Sequence, residues 1–365
     1  MAENTWPQVL RTLISRSDLT AEQSSWAMQQ MLAGEATDAQ IAGFVVSLRA
    51  KGESAAEVQS LVATMTAHAN TFTTARPTID IVGTGGDQAN TVNISTMTAL
   101  VVAALEIPVA KHGNRAASSQ TGTADVLEEL GIAIELPPES VRRCVDEIGI
   151  GFAFAPRHHP AMRHVGPVRR ELGVPTVFNI LGPLSNPAGA AAMLVGVADI
   201  TRAPVIAEVL KARGVRALVV RGDDGLDEIS TTTTSTVWDV TGSAVRELTL
   251  DPRLLGVEQV DASLLVGGDR VRNAQLLRQV LGAEPVAPAD TSRVTAITDV
   301  VAINAAAALV AYRALSQDTS TASLVERMAG EMAQVRAVLT SGAAAEVLNR
   351  WIAFTQELAV PSTGK

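Results

Sequence analysis

The chain has 365 residues, a length that predicts two domains or one large domain with a smaller one attached. With 47% hydrophobic and 18% charged residues it has the composition of an ordinary globular protein, and its single cysteine excludes an internal disulfide or a multi-thiolate metal site. The net charge of −9 argues against a nucleic-acid-binding protein, which normally has a basic face.

The first 70 or so residues are predicted to form a small helical unit. Three capping boxes, in which a hydroxyl acceptor precedes a Gln or Glu by three residues, each indicate a helix start. They are Thr20 with Gln23, Thr37 with Gln40, and Ser54 with Glu57. Gly34 and Gly52 are expected to stop the helices before them.

From residue 78 onward, short apolar strands alternate with helices, which predicts an α/β domain with a mostly parallel central sheet. The predicted strands are Ile79 to Val82, Pro108 to Ala110, Gly151 to Ala155, Met193 to Val197 and Ala217 to Val220. Helices are predicted at 98–105, 124–130, 139–148, 204–213, 300–315, 324–339 and 344–358. The β-branched run from Thr231 to Thr234 is expected at an edge of the sheet.

The uncharged stretch from Leu172 to Ala198 is interrupted by three prolines, which a lipid-spanning helix would not tolerate. It is predicted to be buried or interfacial loop and strand. The N-terminal residues lack the basic and apolar regions of a secretory signal. A soluble cytoplasmic protein with no membrane partner is therefore expected.

A glycine cluster at 83–87 directly follows the first predicted strand, where backbone amides can approach an anion closely. It is neither a P-loop nor a dinucleotide fingerprint, because Gln88 stands where both need glycine. The hydroxyls and amides of 93–96, at the start of the next helix, suit a phosphate or a phosphate-bound metal. A tight turn with a Ser/Thr cap is the alternative interpretation.

The segment 111–119 follows the second predicted strand and combines two cations, an amide, a glycine and two serines. Pyrophosphate requires such compensating charges and directional donors. Both segments lie at strand ends, where the ligands of open α/β sheets collect. A solvated basic loop is the alternative interpretation.

Another polar segment, 157–170, follows the predicted strand Gly151 to Ala155. His158 and His159 have no Cys or acidic partner at ligand spacing, which disfavours zinc. Arg169 or Arg170 is a candidate to hold a carboxylate by a bidentate fork, although surface arginines are the alternative.

The acidic segment 223–228 offers carboxylates at a strand end, which suit magnesium when a polyphosphate supplies the remaining ligands. An Asp-Gly turn would explain 224–225 but not the adjacent Asp227 and Glu228. Together these segments indicate a metal–diphosphate site, and hence a transferase or phosphorylase of phosphorylated sugars.

The motifs resemble those of the anthranilate phosphoribosyltransferase family, in order and over nearly the whole chain. They are GTGGD at 83–87, NIST at 93–96, KHGNRAASS at 111–119, GTAD at 122–125, HHPAMRHV at 158–165, VRRELG at 168–173, FNILGPLSNP at 178–187 and DGLDE at 224–228. The resemblance implies a helical domain, 1–74, completed by a helical insert near 160–190. It implies a hinged α/β phosphoribosyl-binding domain, 75–365, and a homodimer formed through the helical domain.

The resemblance also implies the substrates, phosphoribosyl pyrophosphate and anthranilate, and two Mg²⁺ ions in each active site. Ser95 would hold one ion, and Asp227 and Glu228 the other. The implied substrate-binding residues are Gly83, Gly86, Asp87, Thr91, Asn93, Ile94, Ser95, Thr96, Lys111, His112, Gly113, Asn114, Arg115, Ala116, Ala117, Ser118, Ser119, Thr123 and Arg169.

Among these, the segment 111–119 would form the diphosphate loop, and Gly83, Asn114 and Arg169 would touch anthranilate. Arg169 would pair with the anthranilate carboxylate. The family usually has a glycine where this chain has Gln88, so a side chain there is expected to narrow the conformations of the loop.

The implied reaction is displacement of pyrophosphate from the anomeric carbon by the aryl amine, with inversion. Magnesium and positioning are expected to supply most of the catalysis. His112 is a candidate for removing the proton afterwards, and a structural imidazole is the alternative.

Two rival functions follow from the same residues. A pyrimidine nucleoside phosphorylase would share the fold. Its loops carry a Lys-His-Ser-Thr-Gly-Gly pattern, whereas this chain has no lysine directly before Gly83. The pair Asp227–Glu228 also favours a magnesium–diphosphate substrate. A non-enzymatic relative that binds nucleic acid is disfavoured by the net charge of −9.

Overall fold

The computed structural model describes residues 4–115, 120–317 and 322–359. Its N-terminal helices are α1 (Trp6–Ile14), α2 (Ala21–Ala33), α3 (Asp38–Lys51) and α4 (Ala55–Ala67). Thr20, Thr37 and Ser54 each form both halves of the predicted capping box, which satisfies amides that a helix start leaves free. Gly34 and Gly52 follow α2 and α3, as predicted.

A seven-stranded sheet forms the centre of the second part. Its strands are β1 (Ile79–Gly83), β2 (Val109–Gly113), β3 (Ile150–Phe154), β4 (Ala192–Gly196), β5 (Arg216–Gly222), β6 (Ser235–Asp239) and β7 (Arg246–Leu250). They lie in the order β3-β2-β1-β4-β5-β6-β7. The first five in this order run parallel to one another, and β6 pairs antiparallel with both β5 and β7. The predicted mostly parallel α/β sheet is confirmed, and its five parallel strands all end at one edge.

The remaining helices connect the strands and complete the chain. They are α5 (Ile94–Ala104), α6 (Thr123–Glu129), α7 (Pro138–Arg143), α8 (Ala155–His158), α9 (Gly166–Leu172), α10 (Phe178–Leu184), α11 (Ala203–Ala212), α12 (Arg270–Val280), α13 (Thr291–Arg313), α14 (Leu324–Ser341) and α15 (Ala343–Ala359). A π-helical turn, Cys144–Ile148, continues α7, and Cys144 is buried there. Burial raises the pKa of its thiol to about 12.

Two apolar layers cover the sheet. One layer joins the N-terminal helices to α9, α10 and α11 and reaches one face of β4 and β5, and the other centres on α5 and α13. The helical segment from Pro288 to Arg313 is long and apolar enough to cross a membrane, yet 83% of its most apolar window is buried inside the protein. Four successive alanines, 305–308, let neighbouring elements approach α13 closely. It is the central core helix of the described chain.

The structure corrects several sequence predictions. The run from Thr231 to Thr234 is not in the sheet; it forms bends before β6, and two of its hydroxyls bond to Asp223 and Asp224. Strands β6 and β7 and helix α12 were not predicted. The uncharged stretch 172–198 contains α10 as well as the predicted strand.

Candidate active site

The predicted glycine loop begins at the end of β1 and lies against the acidic segment that follows β5. The Gly85 N–H donates to Asp227 Oδ2 at 2.7 Å. A Cβ atom on Gly83 would lie only 2.3 Å from the same oxygen. The Asp227 side chain can therefore adopt its observed position only because residue 83 is a glycine. Gly86 follows in the left-handed region, at φ 87°.

Gln88, which stands at the position where the family usually has glycine, has a φ of 58°. Its backbone therefore adopts the left-handed conformation that glycine accepts most readily, which costs an L-residue about 1–2 kcal/mol. Asn90 is also left-handed, at φ 51°, and its Nδ2 donates to the Gln88 carbonyl oxygen at 3.2 Å. The side chain at 88 thus leaves the loop with a glycine-like backbone.

Three carboxylates converge where this loop meets the segment after β5. Asp87, Asp227 and Glu228 each place one oxygen within 4.8 Å of the other two. Burial, followed by the repulsion of Asp87, raises the pKa of Asp227 to about 7. Burial and the charges of Asp227 and Asp87 raise the pKa of Glu228 well above its usual range. We call these three residues the acid cluster.

The acid cluster fits a hard divalent cation. Glu228 Oε2 is buried and has no hydrogen-bond partner among the described residues. Like charges this close are stable together only when protonated or when a cation compensates them, and carboxylate oxygens are ligands that Mg²⁺ prefers. Asp87, predicted to contact the ribosyl pyrophosphate, is thereby brought to the predicted metal ligands as well.

The other two acids of the segment 223–228 have different partners. Asp224 accepts from the Ser230 hydroxyl at 2.6 Å, and Asp223 accepts from the Thr236 hydroxyl at 3.0 Å. Neither belongs to the acid cluster. A turn is present at 223–224, where the Gly225 N–H donates to the Gly222 carbonyl oxygen at 2.8 Å, and magnesium binding by Asp227 and Glu228 stays a prediction.

Lys111 lies inside the sheet rather than in a loop. It is part of β2, is only 1% exposed, and donates from Nζ to the Ile81 carbonyl oxygen at 2.6 Å and to Ser95 Oγ at 3.1 Å. Burial lowers its pKa to about 8, although the charges of Asp80 and Glu228 oppose that shift. His112 and Gly113 are also in β2, so the loop begins at Asn114 and not at the predicted Lys111.

Asp80 and Asn186 form a buried pair beside Lys111 that the sequence analysis did not single out. Asn186 Nδ2 donates to Asp80 Oδ2 and to the Ala110 carbonyl oxygen, both at 2.7 Å. Burial raises the pKa of Asp80 to about 6. A charged residue inside an otherwise apolar strand was the available signal for this pair.

The start of α5 presents the predicted phosphate-binding groups. Asn93 precedes the helix, and the buried Thr96 hydroxyl has no hydrogen-bond partner among the described residues. Ser95 lines the same cavity as Asp227 and Glu228. Of the remaining predicted residues here, Ile94 is the buried first residue of α5, Thr91 pairs with Val266, and Thr123 is the first residue of α6.

Asn114 and Arg115 are the residues of the predicted diphosphate loop that directly follow β2. Asn114 and Arg115 are exposed, and Arg115 forms ion pairs with Asp125 and Glu128. Its guanidinium also lies 5.6 Å from the Phe154 ring centre. The predicted residues Ala116, Ala117, Ser118 and Ser119 lie outside the described residues.

Three histidines are buried beside the site. His112 is in β2, and His158 and His159 lie at the end of α8, which follows β3. His112 Nδ1 lies 3.1 Å from the Gly182 carbonyl oxygen, and His159 Nε2 lies 3.0 Å from the Ser185 carbonyl oxygen. A carbonyl oxygen only accepts, so each of these nitrogens carries the proton, and the other nitrogen of each ring is an acceptor without a partner in the described structure. Burial, reinforced by the neighbouring histidines, lowers the pKa of His112 to about 3 and that of His159 to about 4.

The two candidate arginines differ in their surroundings. Arg170 is exposed, whereas Arg169 is half-buried and lies over the Phe178 ring at 5.5 Å. Burial lowers the pKa of Arg169, and no carboxylate pairs with it within the described part of the chain. Arg169 is therefore partly enclosed beside an aromatic ring, whereas Arg170 is open to solvent.

The comparisons with known proteins agree with this geometry. The family model described as glycosyl transferase family, helical bundle domain, matches residues 7–69, and the one described as glycosyl transferase family, a/b domain, matches residues 75–345. The anthranilate phosphoribosyltransferase of Saccharopolyspora erythraea is 49% identical over 97% of both chains. That of Mycolicibacterium gilvum is 51% identical over 97% of this chain and 95% of the relative.

Solved structures of the same kind superpose closely. The crystal structure of anthranilate phosphoribosyltransferase from Thermus thermophilus has a TM-score of 0.85 and 40% identity, and the match covers 95% of this chain and 99% of that one. The Saccharomyces cerevisiae enzyme in complex with PRPP and Mg has a TM-score of 0.84 and 25% identity, over 98% and 99% of the two chains.

Proposed function

The chain belongs to the anthranilate phosphoribosyltransferase family, and from that premise we propose its reaction. It transfers the 5-phosphoribosyl group of phosphoribosyl pyrophosphate to the amino group of anthranilate and releases pyrophosphate. This reaction is the second step of tryptophan biosynthesis from chorismate. The acid cluster at the mouth of the glycine loop is the observation that carries the proposal, because it suits a cation-bound diphosphate.

Two Mg²⁺ ions are proposed for each active site. Ser95 would hold one, and Asp227 and Glu228, with Asp87 beside them, would hold the other. When bound, magnesium neutralises the charge of the pyrophosphate leaving group. The buried Lys111 adds a fixed positive charge beside Ser95, and its hydrogen bond orients the Ser95 hydroxyl.

The glycine loop and the start of α5 supply amides and hydroxyls to the phosphates, and the loop from Asn114 onward continues that surface. Arg169 is proposed to pair with the anthranilate carboxylate, since its fork suits bidentate binding. Because its pKa is about 3, His112 is proposed to accept a hydrogen bond at Nε2 rather than to hold the released proton.

The domain organisation is also proposed from family membership. A helical domain, 1–74 with the insert near 160–190, would be hinged to the α/β domain, 75–365. Exposed apolar side chains on or beside α1, α3 and α9 support a homodimer through the helical domain: Ile14 is 71%, Val46 45% and Val174 54% exposed. A biosynthetic enzyme of this family is proposed to act in the cytoplasm.

Loss of anthranilate fluorescence tests the function directly. Enzyme, anthranilate, phosphoribosyl pyrophosphate and magnesium are mixed, with EDTA as the control. We expect a decay that requires all four components and that disappears in the Asp227→Asn variant. Asp223→Asn is the matched control, because that acid lies in the same segment but bonds to hydroxyls instead of joining the acid cluster.

Two results would count against the proposal. A decay that continues in EDTA would remove magnesium from the reaction. No decay from a well-folded sample would redirect the assay to thymidine or uridine with phosphate, the substrates of the rival nucleoside phosphorylase.

A further inference from the structure

A closed ring of hydrogen bonds links the start of α12 to Asn93, at the start of α5, and to Thr121, just before α6. Asn273 Nδ2 donates to Asn93 Oδ1 at 3.0 Å, and Asn93 Nδ2 donates to the Thr121 carbonyl oxygen at 3.1 Å. The Thr121 hydroxyl donates to the Gly268 carbonyl oxygen at 2.9 Å, and the Gly268 N–H donates back to Asn273 Oδ1 at 2.8 Å. We call Asn273, Asn93, Thr121 and Gly268 the amide ring.

The chemistry of the amide ring fixes the orientation of both amide side chains. The Gly268 N–H can only donate, so Asn273 must present its oxygen there and its NH₂ group to Asn93. The Thr121 carbonyl can only accept, so Asn93 must present its NH₂ group there and its oxygen to Asn273. Each backbone group therefore confirms the orientation that the other requires, and a carboxylate at position 273 would break the sequence of donors.

The segment before α12 is also bound to the glycine loop by its backbone. Val92 N donates to the Leu265 carbonyl oxygen at 3.0 Å, and Gly267 N donates to the Asn90 carbonyl oxygen at 2.8 Å. A Cβ atom on Gly267 would lie 2.7 Å from Asn273 Oδ1 and 3.0 Å from the Thr91 carbonyl oxygen. Asn273 and the backbone of Thr91 can therefore pack this closely around residue 267 only because it is a glycine.

Position 273 is an unusual place for asparagine unless its amide is needed. Asn273 lies within α12 and is only 3% exposed, and asparagine is a poor helix former whose amide costs free energy to bury. Gln279 offers a comparison in the same helix. It is also buried, but its amide donates to the Pro285 carbonyl oxygen and contacts neither Asn93 nor Thr121.

We propose that Asn273 is a positioning residue for phosphoribosyl pyrophosphate, an inference that rests on the proposed function. Through the amide ring it holds Asn93, at the start of α5, and Thr121, just before α6, in one fixed relation. The start of α5, where the buried Thr96 hydroxyl has no partner among the described residues, is then held in place to present its amides and hydroxyls to the substrate. Without Asn273 the two segments would have to be ordered by the substrate itself, at the expense of affinity.

Steady-state kinetics of Asn273→Ala and of the isosteric Asn273→Asp test this role, with Gln279→Ala as the matched control. We expect both Asn273 variants to raise the KM for phosphoribosyl pyrophosphate by about 10- to 100-fold. Losses of that size are typical when a residue that orients a binding residue by a hydrogen bond is removed. The KM for anthranilate should change little. Gln279→Ala should lower the thermal midpoint but leave both KM values near those of the wild type.

The outcomes separate the possibilities. Unchanged KM values in Asn273→Ala, or equal rises for both substrates, would overturn the positioning role while wild-type turnover leaves the proposed function intact. If the Asn273 variants do not fold, Thr121→Val opens the amide ring on its other side at nearly constant volume, and the same selective rise is expected. A folded wild type without turnover would instead refute the proposed function, and this inference with it.

Discussion

The side-chain amide of Asn304 pairs with the main chain of Ile229. Asn304 Oδ1 accepts from Ile229 N at 3.0 Å, and its Nδ2 donates to the Ile229 carbonyl oxygen at 2.9 Å. Ile229 directly follows Glu228, and Asn304 lies in the buried helix α13. The segment that carries Asp227 and Glu228 is therefore attached to a buried core helix.

Asn304→Leu is expected to weaken both folding and magnesium use. The variant leaves the buried N–H and C=O groups of Ile229 unpaired, at about 1–3 kcal/mol each. Urea denaturation should show that loss, and the magnesium concentration for half-maximal activity should rise about tenfold. Leu309→Ala, in the same helix, should destabilise the fold by a cavity and leave the magnesium requirement unchanged. Superimposable magnesium titrations for all three proteins would contradict this role.

Gly196→Ala is expected to abolish activity. A Cβ atom on Gly196 would lie 1.4 Å from the Asp227 carbonyl oxygen, and a backbone atom cannot turn aside as a side chain can. Relieving that overlap should cost at least about 3 kcal/mol and displace the acid cluster. Gly330→Ala is the control with the opposite sign, because nothing lies within 4 Å of its Cβ position in α14. It should raise the free energy of unfolding by about 0.5–1 kcal/mol. A fully active Gly196→Ala enzyme would show that the strand end can move.

His112 should make the fold sensitive to acid. Its pKa is lowered to about 3 in the folded chain from 6.5, so between these values the unfolded chain binds a proton that the folded chain does not. Its contribution to the free energy of unfolding is complete above pH 6.5 and is lost as the pH falls toward 3, at up to about 1.4 kcal/mol per pH unit. His112→Gln can still donate to Gly182 but lacks this titration. Denaturation of both proteins from pH 6.5 to 4.5 measures the difference, and parallel curves would be inconsistent with a buried neutral imidazole.

Arg169→Ala is expected to weaken anthranilate use selectively. A charged hydrogen bond contributes about 1.5–3 kcal/mol, so the KM for anthranilate should rise about 10- to 100-fold. The KM for phosphoribosyl pyrophosphate should stay close to that of the wild type. Arg170→Ala, the exposed neighbour, should leave both values unchanged. Equal losses on both substrates in Arg169→Ala would remove it from the anthranilate site.

The sequence predicts best those features whose partners are close along the chain. The capping box of Thr37 joins residues three apart, so the start of α3 can be read directly from the sequence. The parallel strands are recognisable because burial on both faces makes them continuous apolar runs. Strand β7 has mostly exposed or half-exposed residues and shows no such run, and α12 has two arginines among its first three residues, so both were missed.

The site was only partly predictable, because its supporting contacts are long-range. The segment 223–228 indicates magnesium, but only the fold shows that its first two acids, Asp223 and Asp224, accept hydrogen bonds from threonine and serine hydroxyls. Asn273 lies 180 residues from Asn93, and Asn304 lies 75 from Ile229. Local patterns cannot reveal such pairs. The resemblance of motifs predicts the phosphate-binding segments, and the structure identifies the residues that contact them.

The burial of Cys144 has a practical consequence for measuring motion in this enzyme. It is the chain's only cysteine, it is 1% exposed, and its pKa of about 12 keeps it a thiol at neutral pH, so maleimide dyes will not label it. A cysteine introduced at an exposed position, such as Arg170, therefore becomes a unique attachment point without any further engineering. Pairs of such positions, one on each side of the proposed hinge, would report domain closure by fluorescence transfer on an otherwise native background.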